Sequence, residues 1–440
     1  MPKAGNMVRK RRRRPFRRTL SGAGHVAPVP AHEPRRVGLL DAWRTLTAPA
    51  ASSGYARRAD GLWPTRYESL DLWRALIAVG IVLHHIAGIH IGINTGRVLL
   101  FFVISGYCIA AVAESSLRRG ITPWQFLGRR LWRIYPTFLL AIGFFALTRW
   151  YKAAQTGVDE LTHRFDGAVR TASEWLQNLT LTQWIYTLDH PVSRPGSNPT
   201  LLVSAHWSLA YEQQFYLVIA ILMAVAATWP RLRLRWTIPA LVPGAFVIGL
   251  AWPQTVHGVF IEYWTAFAVG ALVYYRLAGV YSRKWRLVID VLIAALIIWS
   301  VVGMAADPRL NMVDIDRSKW HEWLVAGLFG GILILLRPLD GLFSGTRWTL
   351  PLKVLGRLSF SLFLIHQFNI VSVATASAAL IRVFNPDYFV PALNEDRPLW
   401  DHLLQLALHI GLAAVFWLFC EYPFLARREP TPAPEKLQAA

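Results

Sequence analysis

The stretch LDLWRALIAVGIVLHH, Leu70 to His85, decides the fold because it forms most of an apolar helix of membrane-spanning length. It carries ionisable side chains, which are costly inside a bilayer, so a functional role is the default hypothesis for them. Arg74 and His85 are eleven residues apart. On a helix they share one face, about 16 Å apart along the axis. His84 points about 100° away from His85, and Asp71 is spaced to pair with Arg74.

The composition indicates an all-α polytopic membrane protein. Of the 440 residues 54% are hydrophobic, yet the formal net charge is +20. The chain has 20 tryptophans, a residue type enriched at membrane interfaces. Retention of Lys and Arg on the cytoplasmic side accounts for the basic charge, so we expect no nucleic-acid partner. The two cysteines give no sign of a disulfide framework or a zinc site, and no metal is expected.

The sequence predicts about ten transmembrane helices. Apolar windows long enough to cross a core of ~30 Å recur along the chain. In a ten-span arrangement the loops on the cytoplasmic side are the basic ones, as the positive-inside rule requires, and both termini are expected in the cytoplasm. The predicted spans are approximately residues 70–90, 97–114, 134–150, 206–229, 236–252, 258–276, 287–304, 321–337, 354–375 and 401–420.

The chain divides into three predicted regions. Residues 1–65 form a basic head that contains RKRRRRPFRR. No apolar h-region follows this run, so we expect a disordered cytoplasmic segment and not a signal peptide. Residues 66–425 form the transmembrane domain, and residues 426–440 a disordered cytoplasmic tail. The longest outside segment, Tyr151 to about Ala205, contains the amphipathic piece ASEWLQNLTLTQW, which is expected at the membrane interface.

An arginine motif, GRRLWRIYP, opens the third span. Arg130 and Arg133 are about one turn apart on one helix face. Guanidinium forks suit phosphate oxygens, which favours an anionic ligand here. The alternative is that these arginines only set the topology, as basic residues at an inner helix end often do.

The motif WSLAYEQQFY, Trp207 to Tyr216, places an acid inside the fourth span. Glu212 is the only acid of the motif. An acid at this position is expensive, so it is a candidate functional residue. It is suited to orienting a histidine, binding an acceptor hydroxyl or pairing with an arginine. His206, just before the motif, is expected to be structural.

Two further motifs contain polar residues within apolar spans. In FFVISGY, the pair Ser105-Gly106 indicates close helix packing. Cys108 follows, and apolar surroundings would make its thiol inert. In LSFSLFLIH, two serines and a histidine lie on or near one face, and both packing and ligand contact remain open for them. They are Ser359, Ser361 and His366.

Together these motifs resemble the acyltransferase 3 family of integral-membrane acyltransferases. The family's first-span pattern, an arginine and a histidine with ten residues between them, is met by Arg74 and His85. Its RxxR pattern is met by Arg130 and Arg133. GRVLLFFVISGY, WSLAYEQQFY, SFSLFLIH and EYPF resemble its other signatures, in order along the chain. The resemblance covers about 70–424.

The resemblance implies an enzyme of the bacterial inner membrane with no tightly bound cofactor. Such an enzyme uses cytoplasmic acyl-CoA, commonly acetyl-CoA, to acylate a hydroxyl of a cell-envelope glycan or a lipid-linked sugar. It implies that His85 is the base or a transient acyl carrier, and that Glu212 orients His85 or the sugar from the outer side. The remaining candidates are substrate-binding residues: Arg74, Arg130, Arg133, Trp207, Ser359, Ser361 and His366.

Two other functions remain open from the sequence. A transporter or flippase for a glycan or lipid would use the same intramembrane charges as a substrate path, but we find no inverted repeat. The second alternative is an acyltransferase specific for a different group, such as succinyl.

Overall fold

The computed structural model describes most of the chain between residues 67 and 426. The basic head, the tail from residue 427 and most of the predicted span 236–252 lie outside the described residues. The described residues are 67, 69–87, 96–164, 166–190, 192, 195–229, 232–238, 240, 244, 247, 258–279, 281–307, 318–343, 347–386 and 397–426.

Helices form almost all of this structure, and one isolated β-bridge joins His163 to Val169. Short 3-10 or π turns flank several helices, at Gln183–Ile185, Pro195–Ser197, Ser204–His206, Arg337–Leu339, Arg347–Thr349, Gln367–Asn369 and Trp417–Glu421. The α-helices are α1 Ser69–Ala87, α2 Gly96–Arg118, α3 Pro123–Thr156, α4 Ala172–Thr180, α5 Tyr186–Asp189, α6 Trp207–Thr228, α7 Trp264–Leu277, α8 Arg283–Ala306, α9 Lys319–Leu336, α10 Asp340–Phe343, α11 Leu350–Ile365, α12 Ile370–Phe384, α13 Leu399–Phe416 and α14 Tyr422–Ala426.

Eight helical segments of the described chain are long and apolar enough to cross a membrane. They contain α1, α2, α3, α6, α8, α9, α12 and α13. A chain with this many apolar helices cannot bury them all against one another in water, so the protein is an integral membrane protein. The predicted all-α polytopic class is confirmed.

The third helix is much longer than the predicted span 134–150. α3 has 34 residues, about 51 Å of helix. It begins at a capping box between Thr122 and Gln125 and ends at Gly157, whose φ of 72° is in the left-handed region. Both ends are therefore set by local sequence signals, and α3 projects well beyond an apolar core of ~30 Å.

A close crossing of α2 and α7 forms the centre of the bundle. A Cβ atom added to Gly106 would lie 2.0 Å from the carbonyl oxygen of Phe267, and one added to Gly270 would lie 1.9 Å from that of Val103. The close packing predicted for Ser105-Gly106 is confirmed. α7 has only 14 residues, fewer than the predicted span 258–276, because the chain from Gly258 to Tyr263 forms turns.

The predicted span 354–375 is wrong as a single regular helix. α11 ends at Ile365, a 3-10 turn follows at Gln367–Asn369, and α12 continues to Phe384. The two helices run together antiparallel to α13, because Ser361 donates to Glu421 at 2.6 Å and Ser377 donates to Asp401 at 2.9 Å. The break therefore lies about midway between the beginning of α11 and the end of α12, directly beside His366.

α1 packs closely on α11. A Cβ atom added to Gly356 would lie 1.9 Å from the carbonyl oxygen of Asp71. α2 and α13 also pack on α1. The two motifs with histidines, in α1 and α11, are thus neighbours in the bundle.

The segment between α3 and α6 has a polar interior. Asn178 of α4 donates to the carbonyl of Thr200 at 2.7 Å and accepts from the N–H of Leu202 at 2.9 Å. The apolar side of α4 faces outward, and Leu176 is 61% exposed. The first part of the amphipathic piece is therefore helical, as α4. Its location at the membrane interface stays a prediction.

Candidate active site

Arg74 lies in a polar cluster near the beginning of α1. Its Nη1 atom is 3.7 Å from Oδ1 of Asp71, so the pairing expected from the spacing is present. Its Nη2 atom donates to the sulfur of Cys108 at 3.5 Å. The prediction that Cys108 lies in purely apolar surroundings is therefore wrong, because its side chain is on the face of α2 that meets Arg74.

Glu212 of α6 belongs to the same cluster. Its carboxylate accepts hydrogen bonds from the hydroxyl groups of Tyr216, at 2.5 Å, and Ser105, at 3.4 Å. It also interacts electrostatically with Arg74 and Arg130. Its described contacts are therefore hydrogen bonds from two hydroxyl groups and electrostatic interactions with two arginines.

The position of Glu212 along α6 bears on its expected role, to orient His85 or the sugar, and that role stays a prediction. α6 begins inside the bundle, where the buried imidazole of His206 donates from Nε2 to the carbonyl of Leu364 at 3.0 Å. Glu212 is six residues further along the chain, about 9 Å along the axis. It therefore meets the Arg74 end of α1, and His85 lies about 16 Å further along that helix.

The two arginines of the RxxR motif face the cluster from α3. The guanidinium of Arg130 is half-buried over the ring of Tyr216, 5.6 Å from its centroid, and near that of Phe126, at 5.9 Å. Arg133 is exposed and interacts electrostatically with Glu421. Both guanidinium groups thus lie at the Arg74 end of α1, which we call the arginine cluster: Asp71, Arg74, Arg130, Arg133, Glu212 and Glu421.

Glu421, at the end of the π turn, is a member of the cluster that the sequence analysis did not select. Its carboxylate accepts a hydrogen bond from Ser361 at 2.6 Å and interacts electrostatically with Arg74. The sequence did contain a signal for Glu421. Glu212 was selected because an acid within an apolar span is costly, and the same reasoning applies to an acid at the end of such a span. Ser361 therefore contacts the arginine cluster through Glu421, while Ser359 is buried in α11.

His85 lies at the other end of the same face of α1. Its side chain is exposed, whereas His84 is half-buried. The ring centroid of His85 is 5.1 Å from that of His366, which is fully buried, and 5.1 Å from that of His84. The structure therefore brings together His85 and the histidine of the SFSLFLIH motif, which the sequence alone did not place near each other.

Trp207 is part of an aromatic cluster at the beginning of α6. Its ring is 6.1 Å from that of Phe102, 5.5 Å from that of Tyr211 and 5.4 Å from that of Tyr263, centroid to centroid. The side chain is half-buried. Its described ring contacts are with α2, α6 and the turn before α7, and not with the histidines.

The arrangement combines an anion site with a separate imidazole. Clustered guanidinium groups, each interacting electrostatically with a carboxylate, suit phosphate or other multiply charged oxygens. An accessible imidazole about 16 Å away suits proton transfer or nucleophilic attack. Within the described residues, no group of three or more His, Cys, Asp or Glu side chains is placed to hold a metal ion.

A comparison with protein families decides the class of the chain. The model described as an acyltransferase domain, that of the acyltransferase 3 family, matches residues 67–419. The chain belongs to this acyltransferase family. The match includes both polar ends of α1, the RxxR motif and the SFSLFLIH motif.

Curated relatives of this acyltransferase are distant in sequence. It is 24% identical over 389 residues to "O-acetyltransferase OatA" of Staphylococcus aureus (strain NCTC 8325 / PS 47), covering 83% of this chain and 58% of that protein. It is 26% identical over 347 residues to "Exopolysaccharide production protein ExoZ" of Rhizobium meliloti (strain 1021), covering 77% and 92%. The chain thus spans less than two thirds of the length of OatA. No solved structure matches it.

Outside the membrane spans, the acyltransferase holds its α3–α6 segment with an ionic network. Arg164 donates to Glu174 at 2.8 Å and to Asp166 at 2.5 Å. Burial alone would raise the pKa of Glu174, but the backbone N–H of Thr171 and the Arg164 guanidinium reverse this and hold the pKa below its usual value. The hydrogen bond from Arg164 likewise lowers the pKa of Asp166.

Proposed function

We propose that the chain is an O-acyltransferase that moves an acetyl group from cytoplasmic acetyl-CoA to a hydroxyl of a cell-envelope or exported glycan, or of a lipid-linked sugar. It would act in the bacterial inner membrane with both termini in the cytoplasm. One observation carries this proposal: α1 presents an arginine cluster and an exposed histidine on one face, at opposite ends. A donor with an anionic head and a distant reactive thioester matches that separation.

The donor side of the proposal uses the arginine cluster. Arg130 and Arg133 bind phosphate oxygens of coenzyme A at the inner surface, and Arg74 fixes the donor or the polar network below His85. Glu212 and Glu421 hold the guanidinium groups in place. An extended pantetheine arm then carries the thioester carbon roughly 15 Å into the membrane, about half of its apolar core. This is close to the distance of about 16 Å between Arg74 and His85.

The chemical step takes place at His85. Its neutral imidazole accepts the proton of the acceptor hydroxyl while the hydroxyl oxygen attacks the thioester carbonyl carbon. The carbon–sulfur bond breaks, and the thiolate of coenzyme A takes the proton from the imidazolium. The products are an acetyl ester and free coenzyme A. In the alternative route His85 attacks first and carries the acetyl group to the acceptor.

The remaining candidate residues complete this site. His366 lies against His85 and contacts the reacting groups or orients the base. On α11, Ser359 and Ser361 line the path between the arginine cluster and His85. Trp207 binds the acceptor from the aromatic cluster at the beginning of α6. The printed names of the relatives, an O-acetyltransferase and an exopolysaccharide production protein, support a glycan as the acceptor class.

Mass spectrometry of envelope glycans tests this function. Cells with the gene should carry O-acetyl groups that cells without it lack. His85→Ala should remove them, whereas His84→Ala, a change of the adjacent histidine, should keep them. If cells without the gene lack the glycan on their surface altogether, the protein is a transporter. If their glycan lacks only succinyl groups, the protein is a succinyltransferase. Unchanged acetylation with a folded His85→Ala protein would exclude His85 as the catalytic residue.

A further inference from the structure

The break between α11 and α12 is stabilised first by side chains of its own residues. In the membrane, backbone groups released by a broken helix must find other partners. Ile365 receives a hydrogen bond at its carbonyl from the side chain of Asn369, at 2.8 Å. The carbonyl of Phe363 receives one from Nδ1 of His366, also at 2.8 Å. These two contacts come from within the turn itself.

Two donors reach the same turn from elsewhere in the bundle. Nε2 of His206, just before α6, donates to the carbonyl of Leu364 at 3.0 Å. Arg149, near the end of α3, donates from Nη2 to the carbonyl of Phe368 at 3.3 Å and pairs with Glu160 at 2.9 Å.

A third contact ties the turn to the beginning of α6. The N–H of Ala205 donates to the side-chain oxygen of Gln367 at 2.5 Å. α3 and the start of α6 therefore both hold the turn at fixed points.

The hydrogen bonds also fix the state of the His366 ring. A carbonyl oxygen only accepts, so Nδ1 of His366 carries the proton and Nε2 presents a lone pair. Among the described residues, this buried Nε2 atom has no hydrogen-bond partner. The ring faces His85 at 5.1 Å between centroids. The turn therefore sets both the position of the His366 ring and the acceptor nitrogen that it offers.

We propose that His206 is a positioning residue for the transfer reaction: with Arg149, it holds the broken turn that keeps His366 against His85. This rests on the proposed function, since the pair His85–His366 matters only if His85 carries the reaction. His206 itself is buried, and its ring packs against Phe138 at 5.3 Å between centroids, so it acts through the turn and not on substrate. Displacement of a catalytic geometry by about 1 Å can cost a factor of about 100 in rate.

Two substitutions of His206 separate the hydrogen bond from the packing. His206→Phe keeps a ring beside Phe138 but removes the donor to Leu364. His206→Gln keeps an N–H donor at nearly the same reach. In membrane vesicles supplied with radiolabelled acetyl-CoA, His206→Phe should lower the maximal rate of label transfer to glycan by about 10-fold to 100-fold. The KM for acetyl-CoA should stay within about twofold, and His206→Gln should recover most of the rate.

A second measurement does not depend on activity. The protein is treated briefly with diethyl pyrocarbonate, and modified histidines are identified by mass spectrometry. The exposed His85 should react and the fully buried His366 should not. In His206→Phe, His366 should become reactive, while His190→Ala, a change of an exposed histidine outside the bundle, should leave the pattern unchanged.

The outcomes are distinguishable. If the wild-type vesicles transfer no acetyl group, the proposed function fails, and the reagent pattern still reports whether His206 holds the turn. If transfer occurs but His206→Phe matches the wild type and His366 stays protected, the positioning role is overturned. A loss of rate that His206→Gln does not recover would also overturn it, because packing and not the hydrogen bond would then be responsible.

Discussion

The ring of His85 lies 5.1 Å from the ring of His366, although the two residues come from motifs near opposite ends of the family domain. One ring is exposed and the other is fully buried. This contact joins the exposed candidate base to a buried imidazole with a fixed tautomer. The two glutamates of the arginine cluster, Glu212 and Glu421, lie instead at the Arg74 end of α1.

The arginine motif should bind donor and not only set topology. Arg133→Lys keeps the positive charge but loses the two-pronged guanidinium geometry. We expect the KM for acetyl-CoA to rise by about tenfold, equivalent to ~1.4 kcal/mol, with a smaller change in maximal rate. The measurement is initial-rate kinetics of acetyl transfer in membrane vesicles.

Arg129→Lys is the matched control for this prediction. Arg129 is an exposed neighbour in the same motif and is not among the arginines assigned to the cluster. The KM of the Arg129→Lys protein for acetyl-CoA should equal that of the wild type. An unchanged KM in Arg133→Lys as well would indicate that the motif serves topology alone.

Glu212→Gln should weaken binding of the acetyl-CoA donor and leave the catalytic base His85 unaffected. The carboxylate interacts with Arg74 and Arg130, so its loss leaves two partly buried guanidinium groups without this counter-charge. We expect a KM for acetyl-CoA raised by about tenfold, because both groups lose their orientation. The dependence of the maximal rate on pH should keep its wild-type shape.

Glu114→Gln provides a comparison for the loss of one acid. Glu114 bonds to Tyr275 at 2.9 Å, away from the arginine cluster, and its replacement should leave the KM unchanged. If Glu212→Gln kept the wild-type KM and shifted the pH profile, Glu212 would act on the base, as the sequence first suggested.

The helix periodicity predicted some of this site and missed the rest for physical reasons. Arg74 and His85 lie within one helix, where 3.6 residues per turn fix the shared face, so their relation followed from spacing alone. The depth of Glu212 did not follow, because it depends on where the chain re-enters the bundle. His206 is already buried before α6 begins.

The break beside His366 was not predictable from its own residues. The stretch LSFSLFLIHQFN contains no glycine or proline to mark it. Its stabilising donors, His206 and Arg149, come from helices that are distant in the sequence. The contact of His366 with His85 depends on which helices pack together, and the close approach at Gly356 that determines it is visible only in three dimensions.

The crossing of α2 and α7 should tolerate no side chain at Gly270. In Gly270→Ala the new Cβ atom would lie 1.9 Å from the carbonyl oxygen of Val103, which is backbone and cannot move alone. The helices must separate, and overpacking of this kind costs about 1–3 kcal/mol or more. We expect a lower thermal midpoint and less folded protein on size exclusion.

Gly143→Ala is the control, because a Cβ atom there meets nothing within 4 Å. It should leave the midpoint unchanged or raise it slightly, since Ala favours helix over Gly by up to about 1 kcal/mol. A midpoint equal to that of the wild type in Gly270→Ala would show that α2 and α7 can accommodate a methyl group at this crossing.

Acid should loosen the segment between α3 and α6. The pKa of Glu174 is held below its usual value of 4.5, and that of Asp166 below its usual 3.8. Groups with a lowered folded pKa stabilise the fold above the unfolded pKa, and this contribution is lost as the pH falls through the folded pKa. Pepsin, which is active in acid, should therefore begin to cut within residues 157–203 only below about pH 4.

Arg164→Gln removes the guanidinium that both acids share, so cleavage should begin at a higher pH. Arg119→Gln, a change of an exposed arginine whose side chain bonds, among the described residues, to Ser115 in its own turn, should keep the wild-type onset. Cleavage that began at the same pH in Arg164→Gln would show that other contacts, such as those of Asn178, hold the segment.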